Sequence, residues 1–89
     1  MALQIRVQPE DLRQLGTNFS SEGDAVTSLM SRLDTQLSGV DWAGSSATRF
    51  RTQWEDDFRP VLVNLADALD LASGRLAERA ESAESYDQG

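Results

Sequence analysis

Five apolar side chains recur at intervals of seven: Leu12, Phe19, Val26, Leu33 and Val40. Seven residues are two turns of α-helix, so this repeat lays one side chain after another along a single seam. A chain built this way must form a long helix packed lengthwise against another helix. The neighbouring row at the same interval reads Gly16, Gly23, Met30, Leu37. It passes from no side chain to large ones, so a second helix can approach closely near the start of the first. Each glycine costs about 1 kcal/mol in helix propensity relative to alanine. Both are therefore expected to serve packing or local bending.

The first helix is expected over about residues 9–38. Pro9 suits a first helical position, and Glu10 and Asp11 suit the positive end of the helix dipole. Ahead of it, Leu3, Ile5 and Val7 alternate with polar residues and read as an extended tail lying over a helix end. Gly39 is placed to take a left-handed C′ position, with Val40 making the apolar contact that closes a Schellman end. A bend over residues 39–45 follows, "GVDWAGS". Gly44 is free to adopt positive φ there, and the Trp42 indole can fold back over the end of the helix pair. Ser45 or Ser46 is the natural N-cap of a second helix over about 46–84.

That second helix carries Ala47, Phe50, Trp54, Phe58, Val61, Leu62, Leu65, Leu69, Ala72, Leu76, Ala80 and Ala83 on one broad face, with Asp56, Asp67, Asp70, Gly74, Glu78 and Glu81 opposite. Pro60 interrupts it, yet the apolar row continues in register on both sides, which predicts a kink near Arg59 and not a helix end. Residues 85–89 are small and polar and are expected to fray. The fold class is thus all-α: an antiparallel two-helix hairpin in one domain of 89 residues.

Two helices do not cover the apolar surface this pattern makes. Each apolar arc is wider than a two-helix seam, and contiguous exposed patches beyond a few hundred Å² mark partner sites. Two hairpins packed as a four-helix bundle bury every arc. The expected core and dimer interface comprises Leu12, Phe19, Val26 and Leu33 from the first helix, with Trp54, Phe58, Leu62, Leu65, Leu69 and Leu76 from the second.

Chemistry is sparsely equipped. The chain has no cysteine and no histidine, which removes thiolate nucleophiles, disulfides and the commonest general base and metal ligand. Ser45 and Ser46 have no base and no nucleophile elbow. Glu55, Asp56 and Asp57 are consecutive, so on a helix they point in different directions and read as a solvated face. No catalytic, cofactor-binding or metal residue is assigned, and the chain is read as no enzyme. The net charge of −7 opposes binding to nucleic acid and to anionic membranes. No signal peptide and no membrane-spanning stretch is read in the sequence.

The bend motif Trp42-x-Gly44 between two helices resembles the WXG family of small secreted helical hairpins, relatives of the early secretory antigenic target and substrates of type VII (ESX) secretion. The resemblance extends to Ile5-x-Val7-x-Pro9-Glu10-x-Leu12, to Ala47, Phe50 and Trp54 after the motif, and to Leu65, Leu69 and Leu76 late in the second helix. It implies export of a folded dimer by a signal-peptide-independent route, from the cytoplasm to the cell surface or medium. The implied partners are a second WXG-type hairpin (a heterodimer is favoured, a homodimer is the variant) and the type VII secretion ATPase. It makes Tyr86 a candidate export signal. The family pattern sets an acid four residues after that tyrosine, which here would be residue 90, so the expectation is that a partner supplies the signal or that the chain is trimmed. The alternative reading is an intracellular helical adaptor or chaperone-like partner of a larger secreted protein.

Overall fold

The computed structural model describes the backbone of residues 8–88 and the side chains of residues 8–84. The alternating segment Leu3–Val7 lies outside the described residues, as does the Tyr86 side chain. Helix α1 spans Pro9–Gly39, α2 spans Ser45–Gln53, a single π-turn spans Trp54–Phe58, and α3 spans Arg59–Gln88. The second half of the chain is thus one long helix with a wide turn inside it, folded back along α1. The result is a rod 66 × 22 × 19 Å with a radius of gyration of 20.1 Å. A globular chain of this length has a radius near 12 Å.

Helix α1 starts as its sequence dictates. Gln8 is extended, Pro9 takes the first helical position, and the Asp11 and Leu12 amides donate to the Gln8 carbonyl at 3.0 and 3.2 Å. Its end differs from expectation. Gly39 stays helical, and Gly44 is the one glycine with positive φ among the described residues. No Schellman turn forms, because the chain leaves the helix extended at Val40 with no left-handed residue there. Arg51 braces the bend beyond it, its guanidinium donating to the Trp42 carbonyl at 2.9 Å and the Val40 carbonyl at 3.4 Å. Val40 is extended and half exposed, so it makes no closing apolar contact.

Gly44 has φ 106° and ψ 178°, a region that essentially only glycine occupies. It is itself the residue preceding α2, which begins at Ser45 with no side-chain cap. Neither serine is the N-cap, because the reversal is completed one residue earlier, on the only residue able to make it. The amide and hydroxyl of Thr48 both donate to the Gly44 carbonyl, at 3.1 and 3.2 Å.

The helices meet on the glycine row. Gly16, Gly23 and Met30 are the buried residues of α1, whereas Leu12, Phe19, Val26 and Leu33 are half-buried beside them and Val40 is exposed. A Cβ placed on Gly16 would stand 3.2 Å from the Ser73 carbonyl oxygen and 3.4 Å from the Leu76 Cβ. On Gly23 it would stand 3.4 Å from the Ala66 carbonyl oxygen and 3.5 Å from the Leu69 Cβ. The Ser73 hydroxyl donates to the Gly16 carbonyl at 2.6 Å. The glycines therefore serve packing: they let the α3 backbone approach. Arg13 and Glu84 pair at 2.8 Å beyond them.

The kink expected at Pro60 is a π-turn, and it changes the register. The Arg59 amide donates to the Trp54 carbonyl, five residues back. Pro60 has no N–H to give, and in a plain α-helix its ring would press on the Asp56 carbonyl; the wide turn directly before it opens that contact. One residue is absorbed, so the apolar row does not run straight through. Trp54, Leu62, Leu69 and Leu76 are half-buried, but Phe58 and Leu65 are exposed. Helix α3 continues to Gln88, past the end expected at 84. Nothing in Glu81–Gln88 breaks a helix: it holds neither glycine nor proline.

Candidate functional site

Burial is scant for a folded chain. Among the described residues, the buried apolar side chains are Met30, Ala47 and Ala80, and none larger is fully enclosed. The apolar surface left over is not scattered, and its placement follows from the helical repeat. Leu15 and Leu29 each precede a buried residue of α1, Gly16 and Met30, and so stand about 100° to one side of the seam. Leu65 and Phe58 likewise precede the half-buried Ala66 and Arg59, which face α1 from the second half. The other flank of the rod is polar: Arg13, Ser20, Asp24 and Ser73 border a shallow groove over Gly16 and Ala77, and Asp34 of α1 bonds Arg59 of α3 there. Both helices share that polar flank, so they share the apolar one too. Leu15, Leu29, Phe58, Val61 and Leu65 are all exposed.

At the bend the flank becomes aromatic. Trp42 lies 5.8 Å from Phe50, centroid to centroid and tilted by 44°, and Phe50 lies 6.3 Å from Phe58 at 53°. Each separation is that of a favourable tilted aromatic pair. Each of these residues nevertheless keeps more than a third of its surface open. The Arg51 guanidinium carbon stands 6.0 Å from the Trp42 ring centroid. Arg51, in the last turn of α2, thus ties the bend that follows α1 to that helix and stands beside the indole. Trp42 does not plug the end of a core in the single hairpin. It stands at one end of an open apolar stripe.

A polar node lies behind this stripe, where Trp54, expected in the core, meets Asp34 and Arg59, to which the sequence pattern gave no site role. The Trp54 indole N–H donates to Asp34 Oδ1 at 2.8 Å. Arg59 Nε donates to both carboxylate oxygens, at 3.3 Å and 3.1 Å. The indole hydrogen bond, and after it the Arg59 guanidinium, hold the Asp34 carboxyl below the usual carboxylate range, against the opposite pull of desolvation. The sequence signal for this node was a tryptophan and an arginine five apart directly before a proline.

Glu55, Asp56 and Asp57 are exposed along the π-turn, and no group of acidic residues among the described ones is arranged to hold a metal ion. No described helix is long and apolar enough to cross a membrane.

Comparison with known proteins agrees with this architecture. The family profile WXG100, "Proteins of 100 residues with WXG", matches residues 4–88. Protein YukE of Bacillus subtilis (strain 168) is 32% identical over 90 residues, covering 99% of this chain and 92% of that protein. The crystal structure of Geobacillus thermodenitrificans EsxA superposes with a TM-score of 0.83 at 32% identity, over 99% of this chain and 96% of that one. A mutant of the secreted protein EsxB from Bacillus anthracis str. Sterne shares the fold, with a TM-score of 0.80 at 22% identity over 98% of this chain and 97% of that one. With its Trp42-x-Gly44 bend between two long helices, the chain belongs to the WXG100 family of helical hairpins.

Proposed function

We propose that this chain is a non-enzymatic interaction protein, exported through a type VII (ESX) secretion system as a folded dimer of hairpins. The observation that carries the reading is the open apolar flank from Trp42 through Phe50, Phe58, Val61 and Leu65, on a rod with almost no enclosed core. A second hairpin laid on this flank makes a four-helix bundle and takes both sets of exposed side chains out of water. The partner is a WXG-type hairpin, by preference a different chain, with a second copy as the variant. The C-terminal helix, with Tyr86 near its end, is the part offered to the secretion ATPase. The chain waits in the cytoplasm and leaves by a route independent of a signal peptide.

The test is light-scattering mass across a concentration series, with far-UV circular dichroism on the same samples, for wild type and for Leu65→Asp. A helical species at twice the chain mass that Leu65→Asp reduces to monomer supports pairing with a second copy. A weakly helical monomer that becomes fully helical with a second WXG-type hairpin supports the heterodimer. A monomer that melts cooperatively at every concentration and gains nothing from such a hairpin refutes docking. For export, the chain is sought in cells and medium of a secretion-competent host: Tyr86→Ala should leave the melting temperature unchanged and lower the secreted fraction, and a chain wholly retained in the cells refutes export.

A further inference from the structure

The inward-facing row of the second half of the chain changes step once. Ala47 and Trp54 are seven apart, and Arg59, Ala66, Ser73 and Ala80 follow each other at seven, but Trp54 to Arg59 is a step of five. In an unbroken α-helix, five residues leave two side chains about 140° apart, on different faces. The π-turn removes that separation, because its hydrogen bond joins residues five apart: Arg59 N–H to the Trp54 carbonyl. Both side chains then reach the one carboxylate of Asp34. Had the segment been plain α-helix, Trp54 and Leu65, eleven apart, would stand about 20° from each other. Trp54 would then lie on the open apolar stripe and not against α1.

We propose that Asp34 is a positioning residue for the docking face: by gripping Trp54 and Arg59 it holds the π-turn, keeps Trp54 on the seam between the helices, and so decides that Phe50, Phe58, Val61 and Leu65 are the side chains a partner meets. Pro60 acts with it by penalising the α-helical register from the other side. The docking half of this inference rests on the function proposed above; the register half does not.

The full chain labelled with ¹⁵N is the material, since its two tryptophans give two indole N–H signals. In wild type, the Trp54 indole should be protected from solvent exchange and show contacts to α1, since its N–H is bonded to Asp34. Asp34→Ala should speed its exchange by about tenfold or more, the scale of one lost charge-assisted hydrogen bond, and bring the indole into contact with the Leu65 methyls. Unchanged protection and contacts would overturn the proposal. A second test treats the π-turn as one inserted residue. Deletion of Asp56 combined with Pro60→Ala should keep the helix content and the protected Trp54 indole, because the rows on either side stay in phase. Deletion of Asp67, inside plain helix, should abolish both by rotating one side of the seam about 100° away. Equal damage from the two deletions would overturn the register argument. Sedimentation of the same samples separates the two halves: where wild type self-associates, Asp34→Ala should weaken the dimer, and an unchanged dimer with a displaced indole overturns the docking half alone. A wild-type chain that is monomeric throughout removes a second copy as partner, and the register half is then decided by the indole signals and the deletions.

Discussion

Three glycines on two helices permit a graded test of how the hairpin closes. Gly16, Gly23 and Gly74 are all helical, and each replacement by alanine gains roughly 1 kcal/mol of helix propensity. They differ in what the new methyl meets. At Gly74 there is nothing within 4 Å, at Gly23 the nearest atoms lie at 3.4 and 3.5 Å in ordinary contact, and at Gly16 the Ser73 carbonyl oxygen lies at 3.2 Å. That oxygen is backbone and belongs to the residue whose hydroxyl bonds back to Gly16, so it cannot swing away as a side chain would. Gly74→Ala should therefore stabilise by roughly 1 kcal/mol. Gly23→Ala should gain about as much, with some added apolar contact. Gly16→Ala should gain nothing or lose slightly, as the few tenths of an ångström of helix displacement offset the propensity. Gly16→Val, with two further methyls at the same place, should lose about 1–3 kcal/mol as overpacking does. The assay is urea unfolding followed by circular dichroism at one fixed protein concentration, because association would shift every midpoint. A Gly16→Ala gain equal to that of Gly74→Ala would refute the close approach of α3 at this point.

Gly44→Ala should cost about 1–3 kcal/mol, since its backbone sits where a Cβ is strained; a loss below about 0.5 kcal/mol in the same unfolding assay would mean the bend relaxes to another conformation. Trp42→Ala should cost the single hairpin only about 2 kcal/mol, below the roughly 3–5 of a fully enclosed aromatic, because 38% of the residue is exposed; a cost that does not rise with protein concentration would place Trp42 outside the partner contact. The pH dependence of Asp34 has a definite sign. Its carboxyl is held below the usual range in the folded chain, so the stability it contributes is present at neutral pH and is lost as the pH falls below about 4 and through the folded value. The melting temperature of wild type should fall towards that of Asp34→Asn on acidification, and a constant gap down to about pH 2 would refute the linkage.

Much of this was legible in the chain itself. The seven-residue repeats of α1 specify a long helix with a long partner, Pro9 sets where it begins, and Gly44 marks where the chain can reverse. These are local matters: periodicity, missing N–H groups and permitted φ values act within a few residues and do not depend on what lies across the molecule. The excess of apolar surface over a two-helix seam was legible for the same reason, since it needs only a helical wheel. Which of two adjacent rows forms the close seam was not. Leu12, Phe19, Val26 and Leu33 look like the core and yet are only half-buried, because the backbone of α3 seats on Gly16 and Gly23, and the depth of that approach depends on Ala66, Ser73 and Leu76 arriving opposite them. Likewise Pro60 announces a disturbance, but not its form. A kink and a π-turn both accommodate a missing amide; the tertiary contact of Trp54 and Arg59 with Asp34, 20 and 25 residues away in sequence, goes with the one that adds a residue. That contact moves Phe58 and Leu65 out of the row the sequence assigned them and into the open flank. Sequence determined that this chain is a helical hairpin with apolar surface to spare. Tertiary structure decided which side chains are left over, because burial is settled by what arrives from the other helix.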